Sequence, residues 1–364
     1  MHRPAAPSLP ECYNAWRAVR VCRVRKNRSA QTMPLKTENS KLSRQVFLRS
    51  IASAAAVLTL PGFADAEGYP SRPIHLIVGF PPGGGVDIVA RLMAHWLSER
   101  LGRQVIVENK PGAGGNVATE IVVRSPPDGY TLTYVGPVAA INPAVYKDPG
   151  FNFIRDIAPV ASFVRVPLVL EVTPSLPVAS VPEFIDYSKA NPGKINMASS
   201  GIGTAGHVAG ELFQMMTGVK LFHVPYHGET PALNDLIAGR VEVTFNPLPA
   251  SIGYLKAGKL RPLAITTTKR SQVFPNIPCV SDFVPGYEAS VWYGVGAPKD
   301  TPPAIVGRLN EEINAALADP KIQSRLVALG GMVLPGSPAD FGKLIAEETV
   351  KWAKVVKFAG IELR

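Results

Sequence analysis

The apolar positions of this chain fall into short runs that alternate between two periods. Residues 74–78 form an apolar strand pattern, Ile-His-Leu-Ile-Val. Beyond Gly79-Phe80-Pro81-Pro82-Gly83-Gly84-Gly85-Val86-Asp87, the apolar residues Ile88, Val89, Leu92, Met93, Trp96, Leu97 and Leu101 take helical spacing. Gly102 is placed to end that helix. The pattern repeats: strand 104–108, a glycine turn at 111–116, helix 117–124, the turn Pro126-Pro127-Asp128-Gly129 and strand 130–135. An apolar strand at 163–172, broken by Pro167, leads into a second unit. There helix 182–190, strand 194–198, the turn Ser199–Thr204, helix 205–217, strand 220–225, helix 230–238, strand 241–245, helix 249–257 and strand 261–266 follow in turn. A second uninterrupted apolar strand covers 289–297. Helix 302–318 follows it, with Thr301 as cap and Pro302 at its first position, and then helices near 320–329 and 338–358. The last helix carries Phe341, Leu344, Ile345, Trp352, Val355 and Val356 on one face, a stripe that packing alone explains.

Alternation of this kind predicts α/β architecture with mostly parallel sheets covered on both faces. Two such units joined by two long apolar strands predict two lobes, two doubly wound sheets and a cleft between them. The expected division is a leader at 1–66, a first lobe at 67–168 plus 290–364, and a second lobe at 169–289.

The leader is expected to be an export signal. Lys36, Lys41, Arg44 and Arg49 precede the apolar core at 51–60, and Ala64-Asp65-Ala66 is a small-x-small cleavage signal. The apolar run falls short of the ~20 residues that span a bilayer. Gln45 stands where a twin-arginine motif needs its second arginine, so a general secretory signal is preferred. Met33 is a more usual start for such a signal, which would make 1–32 an upstream extension.

Net charge changes the picture less than it first suggests. The chain carries +10, but residues 1–66 hold 11 Lys and Arg against 3 Asp and Glu, leaving 27 basic and 25 acidic residues in the body. A nearly neutral body gives no basic groove for nucleic acid. Cys279 is the one cysteine beyond the leader, so no internal disulfide or cysteine metal cluster is expected. His223 and His227 have i,i+4 spacing, but Pro225 between them breaks the helix that metal chelation would require.

The Phe80–Asp87 turn collects bare backbone amides at a helix start, where free N–H groups and the helix dipole favour an anion. Gly201-Ile202-Gly203-Thr204-Ala205-Gly206 matches G-x-G-x-x-G between a strand and a helix. Its following strand ends in Val224-Pro225-Tyr226-His227-Gly228 without the acidic residue that a dinucleotide ribose needs, so a simpler anion cradle is preferred. Gly253–Leu260 approaches a phosphate loop but reads as a helix end. Ser199, Ser200 and His207 lack a G-x-S-x-G elbow and a paired carboxylate, so Thr204 or Ser200 is expected to cap the helix with His207 packed nearby.

Many segments in order resemble one family. These are Tyr69-Pro70-Ser71-Arg72-Pro73-Ile74, Phe80–Asp87, Val107-Glu108-Asn109-Lys110-Pro111-Gly112-Ala113-Gly114-Gly115-Asn116, Asp128–Leu132, Ser199–Thr204 with His207, Val224-Pro225-Tyr226, Pro231-Ala232-Leu233, Asp235–Val241, Trp292-Tyr293-Gly294 and Trp352. Together they are similar to Bug-type (TctC-like) extracytoplasmic solute-binding receptors of tripartite tricarboxylate transporters. The resemblance covers essentially all of 69–361. It implies a type II-like periplasmic binding protein, monomeric and without cofactor, metal or catalysis, that closes on a small carboxylate and passes it to membrane permease subunits. The implied ligand-binding residues are Phe80, Gly83, Gly84, Asp87, Gly136, Pro137, Val138, Ser200, Gly201, Gly203, Thr204, His207, Tyr226 and Asn246.

Three positions depart from the family's usual pattern. The loop Gly136-Pro137-Val138-Ala139-Ala140 offers no hydroxyl, so that wall should be apolar. His227 stands where lysine is common and charges only in mild acid, so affinity is expected to depend on pH. Asn246-Pro247 replaces a frequent aspartate. An exported enzyme using the 201–206 turn or Ser200 and His207, and a sensor built on the receptor fold, are the alternatives.

Overall fold

The computed structural model describes residues 68–147 and 150–363. The expected export signal and cleavage point lie outside the described residues. Strands β1 (Ile74–Val78), β2 (Val105–Asn109) and β3 (Thr131–Val135) are parallel, with β1 in the middle. Helices α1 (Gly85–Leu101) and α2 (Asn116–Val123) carry the crossovers. Residues expected as loop after β3 form helix α3 (Val138–Val145), which buries Ala139, Ala140, Ile141 and Val145. Pro143 sits inside it, and a proline in an eight-residue run hides helical character from pattern reading.

After the short helix α4 (Phe153–Asp156), strand β4 (Ile157–Val172) runs 16 residues straight through Pro167, where a break was expected. Up to Pro167 it pairs with β9, introduced below. From Leu168 it pairs with two other strands. The proline therefore falls at the hand-over between ladders, where its missing N–H costs least.

The second unit holds helix α5 (Val181–Ala190), β5 (Asn196–Ser199), α6 (Ala205–Thr217), β6 (Phe222–Pro225), α7 (Glu229–Ile237), β7 (Val243–Pro247), α8 (Leu248–Lys256) and β8 (Arg261–Ile265). Gly253–Leu260 is indeed the end of α8 and the residues after it. Strand β5 is parallel to β6 and β7, but β7 and β8 run antiparallel to β4. The second sheet, expected to be mostly parallel, is therefore mixed. An apolar run reports burial on both faces; strand direction is set by chain connectivity.

Strand β9 (Ser290–Pro298) returns between β3 and β4, antiparallel to both. Helices α9 (Pro303–Ala318) and α10 (Pro320–Ala328), the short strand β10 (Met332–Val333) and helix α11 (Pro338–Ala359) complete the described chain. Thr301 does not cap α9, because its hydroxyl donates to Pro298 O and Pro302 takes the cap position. The sheet order is β2-β1-β3-β9-β4-β7-β5-β6, with β8 and β10 also paired to β4. The fold is thus two-lobed α/β, with β4 belonging to both sheets. Phe341, Ile345, Trp352, Val355 and Val356 of α11 are buried as the stripe required.

Candidate functional site

Helix α1 starts without a capping side chain. Gly84 takes the N-cap position and Gly83 before it has φ +86°. Asp87 reaches back from the first turn, and its Oδ2 accepts the Gly83 N–H at 3.0 Å and Arg91 Nε at 2.9 Å. Asn109 Nδ2 donates to Oδ1 at 2.9 Å and also to Phe80 O, which ties β2 to the turn. Burial pushes the Asp87 carboxyl upward, but the bonds from Arg91, Gly83 and Asn109 outweigh it and hold it below its ordinary range.

Helix α6 starts in the same way. Thr204 is the N-cap but its hydroxyl donates to Gly201 O at 2.7 Å and caps nothing. Gly203, φ +74°, donates its N–H to His207 Nδ1 at 3.1 Å. Neither Thr204 nor Ser200 therefore caps the helix as expected; His207 secures the turn. Its ring stacks on His223 at 3.7 Å between centroids, and His223 Nε2 lies 2.7 Å from Ser199 Oγ. Burial first, and then the neighbouring His207, lower His223 to about 3, so that ring stays neutral. Glu211 lies 3.6 Å from His207 Nε2, too far for a hydrogen bond.

Both turns open on one cleft of about 550 Å³. Phe80 and Pro81 form one side, Ser200, Gly201 and Ile202 another, with Tyr226 and His227 at the exposed rim. The Pro111–Gly115 turn after β2 contributes a third wall. Phe80 and Ser200 also border a smaller inner cavity of about 30 Å³. Pro137, Val138 and Val291 make it apolar, while Thr204, Glu229 and the Tyr293 ring add polar groups.

Of the residues expected to bind ligand, Phe80, Pro137, Val138, Ser200, Gly201, Thr204 and Tyr226 line these spaces. Gly83, Asp87, Gly203 and His207 stand behind them and hold the turns. Gly136 leaves room for Tyr134, whose hydroxyl would be 2.3 Å from an added Cβ. Asn246 is buried and donates to Ser251 Oγ at 2.8 Å, and Ser251 donates to Glu171 Oε1. Its neighbour Pro247 lines the inner cavity instead.

Sequence reasoning missed Glu229. It is the first residue of α7, where an acidic side chain usually serves only the helix dipole. In the fold its Oε2 crosses to accept the Gly85 N–H of α1 at 2.7 Å. An added Cβ on Gly84 would lie 3.1 Å from that oxygen, so the glycine turn admits the carboxylate. Burial raises Glu229 to about 7, and the bond from Gly85 only partly opposes this. Tyr293 is fully buried in the same cavity and its hydroxyl has no hydrogen-bond partner. Burial, with Glu229 nearby, holds its phenol well above the ordinary value.

Among the described residues there is no group of three or more histidine, cysteine or acidic side chains arranged for a metal ion. No described helix is long and apolar enough to cross a membrane.

A two-lobed α/β fold in which two strand-to-helix glycine turns border one cleft is the arrangement of a periplasmic binding protein. The chain belongs to the tripartite tricarboxylate transporter family of receptors, whose model matches residues 89–361. It is 36% identical over 326 residues to protein BugT of Bordetella pertussis, covering 89% of this chain and 99% of that one. Among solved structures it is similar to R. palustris Rpa4515 with adipate (41% identity, TM-score 0.79, 81% of this chain and all of that one). MatC from Rhodopseudomonas palustris with bound malate matches at 30% identity and TM-score 0.75, over 79% of this chain and 100% of that one. The matched family is one of receptors, and adipate and malate are the ligands bound in those two structures.

Proposed function

We propose that this protein is an exported periplasmic receptor that captures a small carboxylate between its lobes and delivers it to the permease of a tripartite tricarboxylate transporter. The observation that carries this reading is the pair of strand-to-helix turns before α1 and α6, which come from different sheets and line one cleft through Phe80, Pro81, Ser200, Gly201 and Ile202. Ser200, Gly201 and Thr204 contact the ligand through hydroxyls and amides. Phe80, Pro137 and Val138 cover its apolar body, and bridging water completes the contacts. Gly83, Gly84, Asp87, Gly136, Gly203, His207 and Asn246 shape those surfaces. Residues 67–168 with 290–364 act as one lobe and 169–289 as the other, and β4 near Pro167 serves as hinge. Ligand favours the closed form because both lobes touch it only there.

An exported enzyme is the second reading, favoured by the 2.7 Å contact of Ser199 Oγ with His223. Ser199 is only 2% exposed and its hydroxyl also engages Gly201, so a substrate has no approach to it. Thermal-shift screening of small carboxylates, followed by recovery and chemical analysis of the hits, tests the proposal. Ligands should raise the melting temperature and be recovered unchanged. A panel without any stabilising carboxylate, or recovery of a converted product, would overturn it. A smaller radius of gyration in solution scattering on ligand addition is the expected sign of closure.

A further inference from the structure

Glu229 joins parts of the chain that the receptor reading assigns to different lobes. It opens α7, in the expected second lobe, and its Oε2 accepts the Gly85 N–H of α1, in the first, at 2.7 Å. Bonds within or beside the crossover strands β4 and β9 also link the two halves, such as those of Leu168 with Thr266 and of Lys351 with Glu288. Away from those strands, the Glu229 bond is the one hydrogen bond between the halves among the described residues. The turns on either side meet closely around it. A Cβ added on Gly84 would lie 3.1 Å from Glu229 Oε2, and one on Gly228 would lie 2.8 Å from Pro81 Cγ.

The surroundings suit this carboxyl only without charge. The small cavity it borders has apolar walls, from Phe80, Val86, Pro137, Val138, Pro247 and Val291, and no lysine, arginine or histidine lines it. The titratable neighbours bring no positive charge either. Tyr293 of β9 and Tyr134 of β3 are phenols that burial holds well above their ordinary value. Asp87 of α1 is committed to Gly83, Arg91 and Asn109. The facing ends of β7 and α6, Pro247 and Thr204 to Gly206, carry no titratable group, and His207 of α6 is turned to Gly203. His227, two residues before Glu229, is exposed at the rim of the outer cleft. An ionised Glu229 would thus be a buried charge with one N–H bond and no cation. Proteins avoid that arrangement by keeping the proton or by moving the group to water.

Resting on the lobe closure of the receptor reading, we propose that Glu229 is a proton-operated latch. Protonated, it holds the lobes together through Gly85; ionised, it leaves the apolar cavity and the lobes part. Separation takes the carboxylate into water, which removes the burial that raises it to about 7. The closed form binds the proton more tightly, so closure is favoured in acid and weakens as pH rises from the ordinary carboxylate value toward about 7. Between pH 5 and pH 8.5 the closed-to-open ratio should fall by up to roughly a hundredfold.

Solution scattering from the ligand-free protein at pH 5 and pH 8.5, wild type beside Glu229→Gln, tests this. Glutamine is neutral at both values and keeps an acceptor for Gly85, and its melting curve checks that it folds. Wild type should be compact at pH 5 and show a larger radius of gyration at pH 8.5. Glu229→Gln should stay compact at both. Compaction on ligand addition should then be seen in wild type at pH 8.5 and not at pH 5. One radius for ligand-free wild type at both pH values overturns the latch. So does an expansion at pH 8.5 that persists in Glu229→Gln, or a Glu229→Gln variant already expanded at pH 5. If carboxylates still raise the melting temperature, such a failure leaves the receptor reading intact. If none does, that reading falls whatever the scattering shows.

Discussion

Asp87 accepts the N–H of Gly83 before α1, and His207 accepts the N–H of Gly203 before α6, with the same four-residue reach. In each turn the glycine just before the cap has positive φ, and in neither does the cap residue's own side chain bond to the helix. The difference lies in what faces the helix start. The first amide of α1 is filled by Glu229 from the other unit, whereas the first turn of α6 faces the cavity with no side chain upon it. Two anion cradles of equal local design therefore have unequal roles. One is spent on an internal contact between units and one is left for a solute.

The largest test of that contrast is pH. Asp87 is held below its ordinary range, so it stabilises the fold above the unfolded value and loses that as pH falls through its folded pKa. Glu229, raised to about 7, has the opposite sign. Its folded form prefers the proton, so the stability linked to it is full below the ordinary carboxylate value and is lost as pH rises toward about 7. Unfolding of wild type and Glu229→Gln at pH 5 and pH 8.5 should show wild type losing up to roughly 3 kcal/mol more over that span. Glu171, pushed to about 8 by burial, acts in the same direction but is common to both proteins. An identical pH response in the two would mean that burial does not hold Glu229 above its ordinary range.

Gly206→Ala should come next. The matching position in α1 is Val86, so a side chain is tolerated there, but a Cβ on Gly206 would lie 2.5 Å from Phe245 O in the backbone of β7. A stability loss of about 2–3 kcal/mol in urea unfolding is expected, since backbone cannot yield as a flexible side chain does. A loss within error would mean that α6 can slide off β7.

Asp87→Ala and His207→Ala compare the two backward reaches directly. Each leaves a glycine N–H without its acceptor, and each should cost about 1–2 kcal/mol. Asp87→Ala should cost the more, because it also takes one acceptor each from Arg91 and Asn109. It should weaken ligand binding moderately, through the turn it holds. The smallest effect is expected for Arg91→Ala. That side chain is about half exposed, so the loss should stay near ~0.5 kcal/mol, measured by the same unfolding curves. A loss equal to that of Asp87→Ala would show that the ion pair, and not the bond to Gly83, secures the turn.

Much of this was legible in the chain itself. The 3.6-residue period after Gly85 and after Thr204 marks α1 and α6, and the glycines before them mark anion-ready turns. Helix α3 was not legible, because eight residues with Pro143 inside give too short a window for a period. The path of β4 through Pro167 was hidden because a proline is excluded only where a ladder bond is required. Asn246 was expected at the cleft through the family resemblance, and its amide turns inward to Ser251. Glu229 gave no signal, since an acidic residue in a helix's first turn has an ordinary explanation.

By itself the sequence determined the alternation of strands and helices, the glycine turns and the near-neutral body, because these rest on local periods, backbone freedom and composition. Tertiary structure alone decided which turn stays open. That outcome depends on Glu229 reaching Gly85, residues 144 apart in the chain, and on burial that leaves the Tyr293 hydroxyl without a partner. Local pattern can prepare two equal helix starts. Only the meeting of distant side chains in a buried cavity makes them unequal.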